Sequence, residues 1–287
     1  MKKLFTLPVI VTLFALNIFV WHTVSTNNRT ARASLHILDV GQGDSELLLL
    51  PHNVAIVTDA GPDSTVAHSI ARILPPTQHY IDIGIITHPQ RDHYGGFKTL
   101  VDRYSFGAIV TNGREADNAS REWKSLLEKI REKNILQIAL QRGDRIRYES
   151  NSIEFLSPTP ALRGSKELND TGLVERVQTP DFSALLTADI GKKVEQLLLN
   201  NRDPIAADIL KVGHHGSKFS STKEFLDAVA PRAAAIGVGK NNTYRHPAAE
   251  TLGRLEELSI RNVLRTDQHG TISIIPENGK LKIYTER

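Results

Sequence analysis

Thr87-His88-Pro89-Gln90-Arg91-Asp92-His93 places two imidazoles, an amide and a carboxylate within six residues. It directly follows the largely apolar run Ile81 to Ile86, which is rich in β-branched residues and broken only by Asp82 and Gly84. Such a run predicts a buried strand. The ligand-type side chains then fall on the loop at its carboxyl end, where open α/β sheets carry their sites. Tyr94-Gly95-Gly96 follows and opens a predicted helix through Tyr104. Crowding His and Asp this densely is costly unless a cation or a partner neutralises them. A metal site is the first reading; the plain alternative is a polar strand-to-helix turn with two unrelated histidines. The chain has eleven histidines, and the isolated ones (His22, His36, His52, His68, His79, His269) receive no assignment.

The same design recurs downstream. Asp208-Ile209-Leu210-Lys211-Val212-Gly213-His214-His215-Gly216-Ser217 is again an apolar strand, paired histidines and a Gly-Ser turn. Phe182 to Ala188 is another apolar run and ends on a single carboxylate, Asp189. An Asp in that position is also a common helix N-cap, so Asp189 has a bland reading beside the functional one. Three strands thus deliver a ligand-type residue at the carboxyl end.

On these residues the chain resembles a metallo-β-lactamase-fold hydrolase. Within that group it is similar to the ComEC-like branch, the extracytoplasmic domain of the DNA-uptake channel protein. The resemblance rests on Leu38-Asp39-Val40-Gly41-Gln42-Gly43-Asp44-Ser45, Thr58-Asp59-Ala60-Gly61, the 87–93 heptad, Asn169-Asp170, Leu186-Thr187-Ala188-Asp189, Val212 to Ser217, and Tyr244-Arg245-His246-Pro247. Each segment is short; seven in the family's order, over about residues 34 to 287, carry the weight. The resemblance implies a four-layer αββα sandwich with a one- or two-metal site at the sheet edges.

The coarse pattern agrees with an α/β (α+β) sandwich. Strands are predicted at about 35–39, 45–50, 54–58, 81–87, 107–111, 135–140, 152–157, 172–178, 182–188, 208–213 and 233–238, with two more at the end. Helices are predicted after Asp63-Ser64 and over Ser120 to Lys133, 191–200, 221–229 and 248–258. The length of 287 residues suits one domain over 35–287 plus an amino-terminal tail. The formal charge of +3 is too small to argue for a polyanionic partner. Only 6% of residues are aromatic, and no Lys/Arg run interleaves with them, so no stacking platform for single strands is evident. The absence of cysteine leaves only N and O donors for a metal.

Met1-Lys2-Lys3 precedes an apolar run from Leu4 to Trp21 that is just long enough to cross a bilayer. The lysines favour an inside amino terminus and a body outside the cytoplasm. Residues 1–21 therefore predict a transmembrane anchor, with a cleaved signal peptide and secretion as the rival; 22–34 read as a flexible tether.

Matched to the family pattern, His88 and Gln90 fall on first-metal positions, and Asp92, His93 and His214 on second-metal positions. Asp189 falls on the bridging carboxylate. The resemblance implies one or two divalent ions, Zn or Mn. It gives Asp92 and His246 catalytic roles: Asp92 orienting or deprotonating the attacking water, His246 donating to an oxyanion or leaving group. Asp39, Gln42, Asp44, Asp59, Asn169, Asp170, His215 and Ser217 would hold ligand imidazoles or touch substrate. Sequence leaves open which of His214 and His215 ligates. Gln90 stands where many relatives have His, and an amide oxygen is the weaker ligand. The expected function is a membrane-anchored, extracytoplasmic phosphodiesterase or nuclease acting on DNA or another phosphodiester, linked to DNA uptake. A separately encoded membrane channel is an expected partner. The alternatives are a hydrolase of small esters or lactams, and a non-catalytic binding module with a weakened metal site.

Overall fold

The computed structural model describes residues 6–27, 32–114, 120–260 and 262–287. In chain order the strands are β1 (Ser34–Ile37), β2 (Glu46–Leu50), β3 (Val54–Thr58), β4 (Tyr80–Ile86), β5 (Ser105–Thr111) and β6 (Leu136–Ala139). They continue with β7 (Arg145–Tyr148), β8 (Asn151–Ser157), β9 (Val174–Gln178), β10 (Ser183–Leu186), β11 (Ile209–Lys211), β12 (Ala233–Ile236) and β13 (Asn262–Arg265). The last two are β14 (Ile272–Glu277) and β15 (Lys280–Thr285). Two sheets form, of order β15-β14-β1-β2-β3-β4-β5-β6 and β13-β12-β11-β10-β9-β8-β7. In the first sheet β3 to β6 run parallel, and in the second β10 to β13 do.

The Leu-rich strand β2 shows why the sheets stack. Leu47 and Leu49 pack outward against the helices Thr65–Ala71, Phe97–Arg103 and Arg121–Glu132. Leu48 and Leu50 point the other way, onto the second sheet's Ile153, Phe155 and Ala184. A strand covered on both faces reads as a continuous apolar run rather than an alternating one. A third apolar layer lies between the second sheet and the helices Lys192–Asn200, Lys223–Val229 and Ala249–Glu257. Three apolar layers separate four layers of secondary structure, which is the αββα sandwich expected from sequence.

Three differences from expectation have local causes. The helix predicted to open at Tyr94 instead starts at Arg91, breaks after Tyr94 and resumes over Phe97–Arg103. Gly95 and Gly96 occupy the break because a side chain there would collide with the Pro62 and Ala60 carbonyls. Two strands exceed the prediction, β7 and one of the three (β13 to β15) that close the chain where two were expected; the alternating Arg-Ile-Arg-Tyr of β7 is exposed or half-buried along its length and carries no apolar run.

The third difference concerns the amino terminus. A helix spans Thr6–Asn27 and so enters the segment expected to be a tether; residues 28–31 of that tether, and residues 1–5 of the expected anchor, lie outside the described residues. Apolar side chains from Val9 to Trp21 are exposed on this helix. Among the described residues no helix is long and apolar enough to cross a membrane. The transmembrane anchor read from sequence therefore finds no support in the structure.

Candidate metal centre

Parallel strands in the two sheets bring their carboxyl ends together along one edge of the sandwich. The chain leaves β3 into Asp59, β4 into Thr87 and His88, β10 towards Asp189 and β11 towards the two histidines. The turn 91–96 docks on this edge through backbone bonds, Ala60 N donating to His93 O at 2.7 Å and Asp44 N to Asp92 O at 3.2 Å. Ala188, His214 and His215 all adopt the left-handed backbone, with φ of 45°, 51° and 53°. For non-glycine residues this conformation is uncommon and tends to mark functional turns.

His93 is held at both ends. Its Nδ1 lies 2.6 Å from Asp59 Oδ2, and its Nε2 faces Asp189 Oδ2 at 3.3 Å. Asp59 is fixed in turn by the Thr87 backbone N–H at 2.9 Å and the Thr87 hydroxyl at 2.7 Å. His215 Nδ1 donates to Gly237 O at 2.9 Å, and its Nε2 lies 3.3 Å from Asp92 Oδ2 and 3.6 Å from Asp189 Oδ2. His214 stands further out. Its Nε2 is 3.8 Å from Asp189, its side chain is 31% exposed, and the Asn169 amide approaches to 3.3 Å. Of the two neighbours, His215 is therefore the one packed into the cluster.

One donor atom each from Asp44, His93, Asp189 and His215 lies within 4.8 Å of the others, so this buried cluster could bind a metal ion. Asp44, however, is paired to the buried Lys211 ammonium, which competes for its carboxylate. Asp92 supplies an oxygen on the side that His215 Nε2 faces. Asp189 Oδ1, His93 Nε2 and His215 Nε2 are buried and lack hydrogen-bond partners. Buried polar atoms are rarely left so, and a divalent cation would satisfy all three. The donors are nitrogen and oxygen only, which suits a borderline or hard ion.

Electrostatics point the same way. Burial alone would lower the His215 pKa, but the Asp189 and Asp44 carboxylates raise it to about 10. His93 is likewise raised against burial by Asp189 and Asp59. Burial opposes ionisation of Asp92, yet the His215 ring 3.3 Å away and the His93 charge bring it down to about 2. The carboxylates thus hold compensating positive charge, which a metal ion would replace on binding. His88 is different: burial, then the His93 ring, push it down to about 4.

No protein-family model matches the chain. Among curated proteins it is 32% identical over 277 residues to ComE operon protein 3 of Bacillus subtilis, covering 89% of this chain and 35% of that one. It is 28% identical to competence protein ComA of Neisseria gonorrhoeae, covering 87% and 33%. It is 29% identical to recombination protein 2 of Haemophilus influenzae, covering 76% and 26%. The chain spans about a third of the length of the first two and about a quarter of the third. Among solved structures, the metallo-β-lactamase fold protein YhfI of Bacillus subtilis matches with a TM-score of 0.54 at 13% identity, covering 82% of this chain and 96% of that one. The diiron β-hydroxylase CmlA of Streptomyces venezuelae matches with a TM-score of 0.57 at 14% identity, covering 84% and 54%. Zn²⁺-bound PqqB of Methylobacterium extorquens matches with a TM-score of 0.54 at 10% identity, covering 84% and 100%. The chain has the metallo-β-lactamase fold, and its sequence relatives include a competence protein and a recombination protein.

Within this fold the remaining candidates divide clearly. His88 lies beside the cluster, its ring centroid 4.1 Å from that of His93, with Nδ1 2.9 Å from the Thr87 hydroxyl and Nε2 3.1 Å from Gln90 Oε1. His246 sits at the mouth, ring centroids 5.6 Å from His214 and 6.5 Å from His215, with a buried Nδ1 lacking a partner. Gln42 is turned to accept from Gly239 N at 3.1 Å. Ser217 Oγ accepts from Phe219 N at 3.3 Å and orders its own turn. Asp39 and Asp170 engage elsewhere, Asp39 with Arg287 and Asp170 with Ser165 and Lys193.

Sequence reasoning missed the charges beneath the metallo-β-lactamase edge. Lys211 is 1% exposed; it donates to Asp44 and, at 3.0 Å, to the Ala188 carbonyl next to Asp189. Glu175 is buried on β9, accepts from the Thr58 hydroxyl at 3.1 Å, and is pushed up to about 8 by burial and then by Asp59. Glu46 is raised well above its usual value, by burial first and Asp44 next. The available signal was a lone charge inside a run that is otherwise fully buried.

Proposed function

We propose that this chain is a metal-dependent hydrolase of phosphodiesters. The observation carrying the proposal is the buried cluster of His93, Asp189 and His215, with Asp92 on its open side and three inward-facing donor atoms that lack hydrogen-bond partners. When bound, one or two divalent ions would supply an activated water and neutralise charge on the attacked group. Asp59 and the Gly237 carbonyl accept from the Nδ1 atoms of His93 and His215, which leaves each Nε2 free to ligate. Asp92, with a 32% exposed side chain, is placed to orient a water or accept its proton. His246 lies where it can donate to a leaving group or a developing oxyanion. His88, Gln90 and Asn169 would form the weaker half of the site, because the His88–Gln90 bond already uses the amide oxygen. This favours one tightly held ion over an equal pair. Structures of this fold include a diiron and a zinc-bound protein, so the ion, Zn or Mn, is chosen by the donors rather than by the fold.

The competence protein among the relatives supports a link to DNA uptake, with DNA as substrate, and a separately encoded membrane channel is the partner proposed with that reading. Lys2 and Lys3 ahead of an apolar segment support anchoring of residues 1–21 with the body outside. Release of the chain from the membrane fraction by high salt would remove the anchoring. For the activity itself, the purified chain should hydrolyse bis(p-nitrophenyl) phosphate with added Mn²⁺ or Zn²⁺. Asp189→Ala should reduce the rate by about a hundredfold or more. Equal rates in wild type and variant, or no diester hydrolysis with either ion, would overturn the reading.

A further inference from the structure

The two loops that carry His214, His215 and His246 are packed together at the mouth of the site. Ala248 N donates to Gly216 O at 2.9 Å, and the Thr251 hydroxyl to Ser217 O at 2.8 Å. These loops also present the two most exposed large apolar side chains of the described body, Phe219 and Tyr244, each 68% exposed. Aromatic residues are scarce in the chain, at 6%, so their position carries information that their number does not.

Tyr244 is ordered in a specific way. Its ring stacks on His246 with centroids 5.8 Å apart and an interplanar angle of 26°. His246 in turn lies 5.6 Å from His214. The rings form a line from the surface to the cluster, with the outer part of Tyr244 open to solvent. The His246 end of this loop is pinned by Asn242, which accepts from His246 N at 2.9 Å and donates to His246 O at 2.7 Å. On the other loop, Lys218 Nζ lies 5.1 Å from the Phe219 ring centroid.

Charge follows the aromatics. Residues 209–223 and 228–249 contain no Asp or Glu, while Lys218, Lys240 and Arg245 are exposed on the rim. Open aromatic faces beside exposed cations suit a strand whose bases are unpaired and whose phosphates are accessible. A duplex hides its base faces by stacking them on one another, so it would leave both rings unused.

We propose that this rim binds an unpaired polynucleotide strand, with Tyr244 and Phe219 as base-stacking surfaces and Lys218, Lys240 and Arg245 as phosphate contacts. The proposal rests on the phosphodiesterase reading and narrows its substrate to single strands. The test is fluorescence anisotropy of a labelled single-stranded DNA 15-mer, and of its duplex, with the full chain and no added metal. Wild type should bind the single strand more tightly than the duplex. Tyr244→Ala and Phe219→Ala should each weaken single-strand binding by about five- to a hundredfold. Tyr244→Phe should restore it, since stacking needs the ring and not the hydroxyl. Equal single-strand affinity in wild type and both alanine variants, or equal affinity of wild type for strand and duplex, would overturn the proposal. Wild-type turnover of bis(p-nitrophenyl) phosphate reads the phosphodiesterase reading separately, so the two failures are distinguishable.

Discussion

Lys211→Met should lower the melting temperature of this protein by about 6–20 °C. The lysine lies in a fully buried strand and neutralises Asp44, which is itself 1% exposed. Burial alone would depress the Lys211 pKa, but Asp44, Glu46 and Asp189 hold it above its usual value, so the ammonium stays charged. Removing one partner of such a pair leaves an uncompensated buried charge and costs about 3–5 kcal/mol. For a domain of this size each kcal/mol shifts melting by about 2–4 °C. Adding Asp44→Asn should recover much of the loss, because the double variant no longer buries the unpaired carboxylate. A double-mutant cycle on melting free energies should therefore give a coupling of at least about 2 kcal/mol. A Lys211→Met protein that melts within a degree or two of wild type would mean that the pair does not hold this edge together.

That pair also shows where sequence reading stops. Lys211 and Asp44 are 167 positions apart, and nothing local in either strand announces the other. The strand before the 87–93 heptad was legible because β-branched residues filled it and ligand-type residues ended it. The layer order was legible for a similar reason, since runs such as Leu47 to Leu50 must be covered on both faces. Choosing between His214 and His215 was not possible from the pattern. Both sit in one turn with nearly the same left-handed backbone, φ 51° and 53°, and only the packing around the turn, which buries His215 and leaves His214 31% exposed, tells them apart. Asp39 and Asp170 carried family positions but are drawn off by Arg287 and by Lys193. Lone charges in buried strands (Glu46, Glu175, Lys211) were visible in the sequence, yet only the packing shows that Glu175 meets the Thr58 hydroxyl and Lys211 the Asp44 carboxylate. The rim aromatics were hidden by their small number.

The second large effect concerns the metal centre. His93→Ala with His215→Ala removes two of the three donor atoms that lack hydrogen-bond partners and leaves carboxylates and the partly exposed His214 ring, 3.8 Å from Asp189. Carboxylates with one outlying imidazole hold a borderline ion far less tightly than a site with two buried imidazoles. Asp59→Ala, which frees the His93 ring without removing it, should weaken binding by about ten- to a hundredfold. His214→Ala should do less than either His93→Ala or His215→Ala, given the longer distance to Asp189 and partial exposure of His214. Affinity should also fall as pH falls. In the metal-free site the carboxylates keep His93 and His215 protonated, with His215 up to about 10, so metal binding must displace those protons.

Metal content per chain, measured by mass spectrometry on the purified wild type and on the His93→Ala/His215→Ala variant, tests the central claim most directly. The account predicts at least one divalent ion per wild-type chain and essentially none in a variant that remains folded. Equal metal content in the two proteins, or a wild type that takes up no divalent ion, would contradict it.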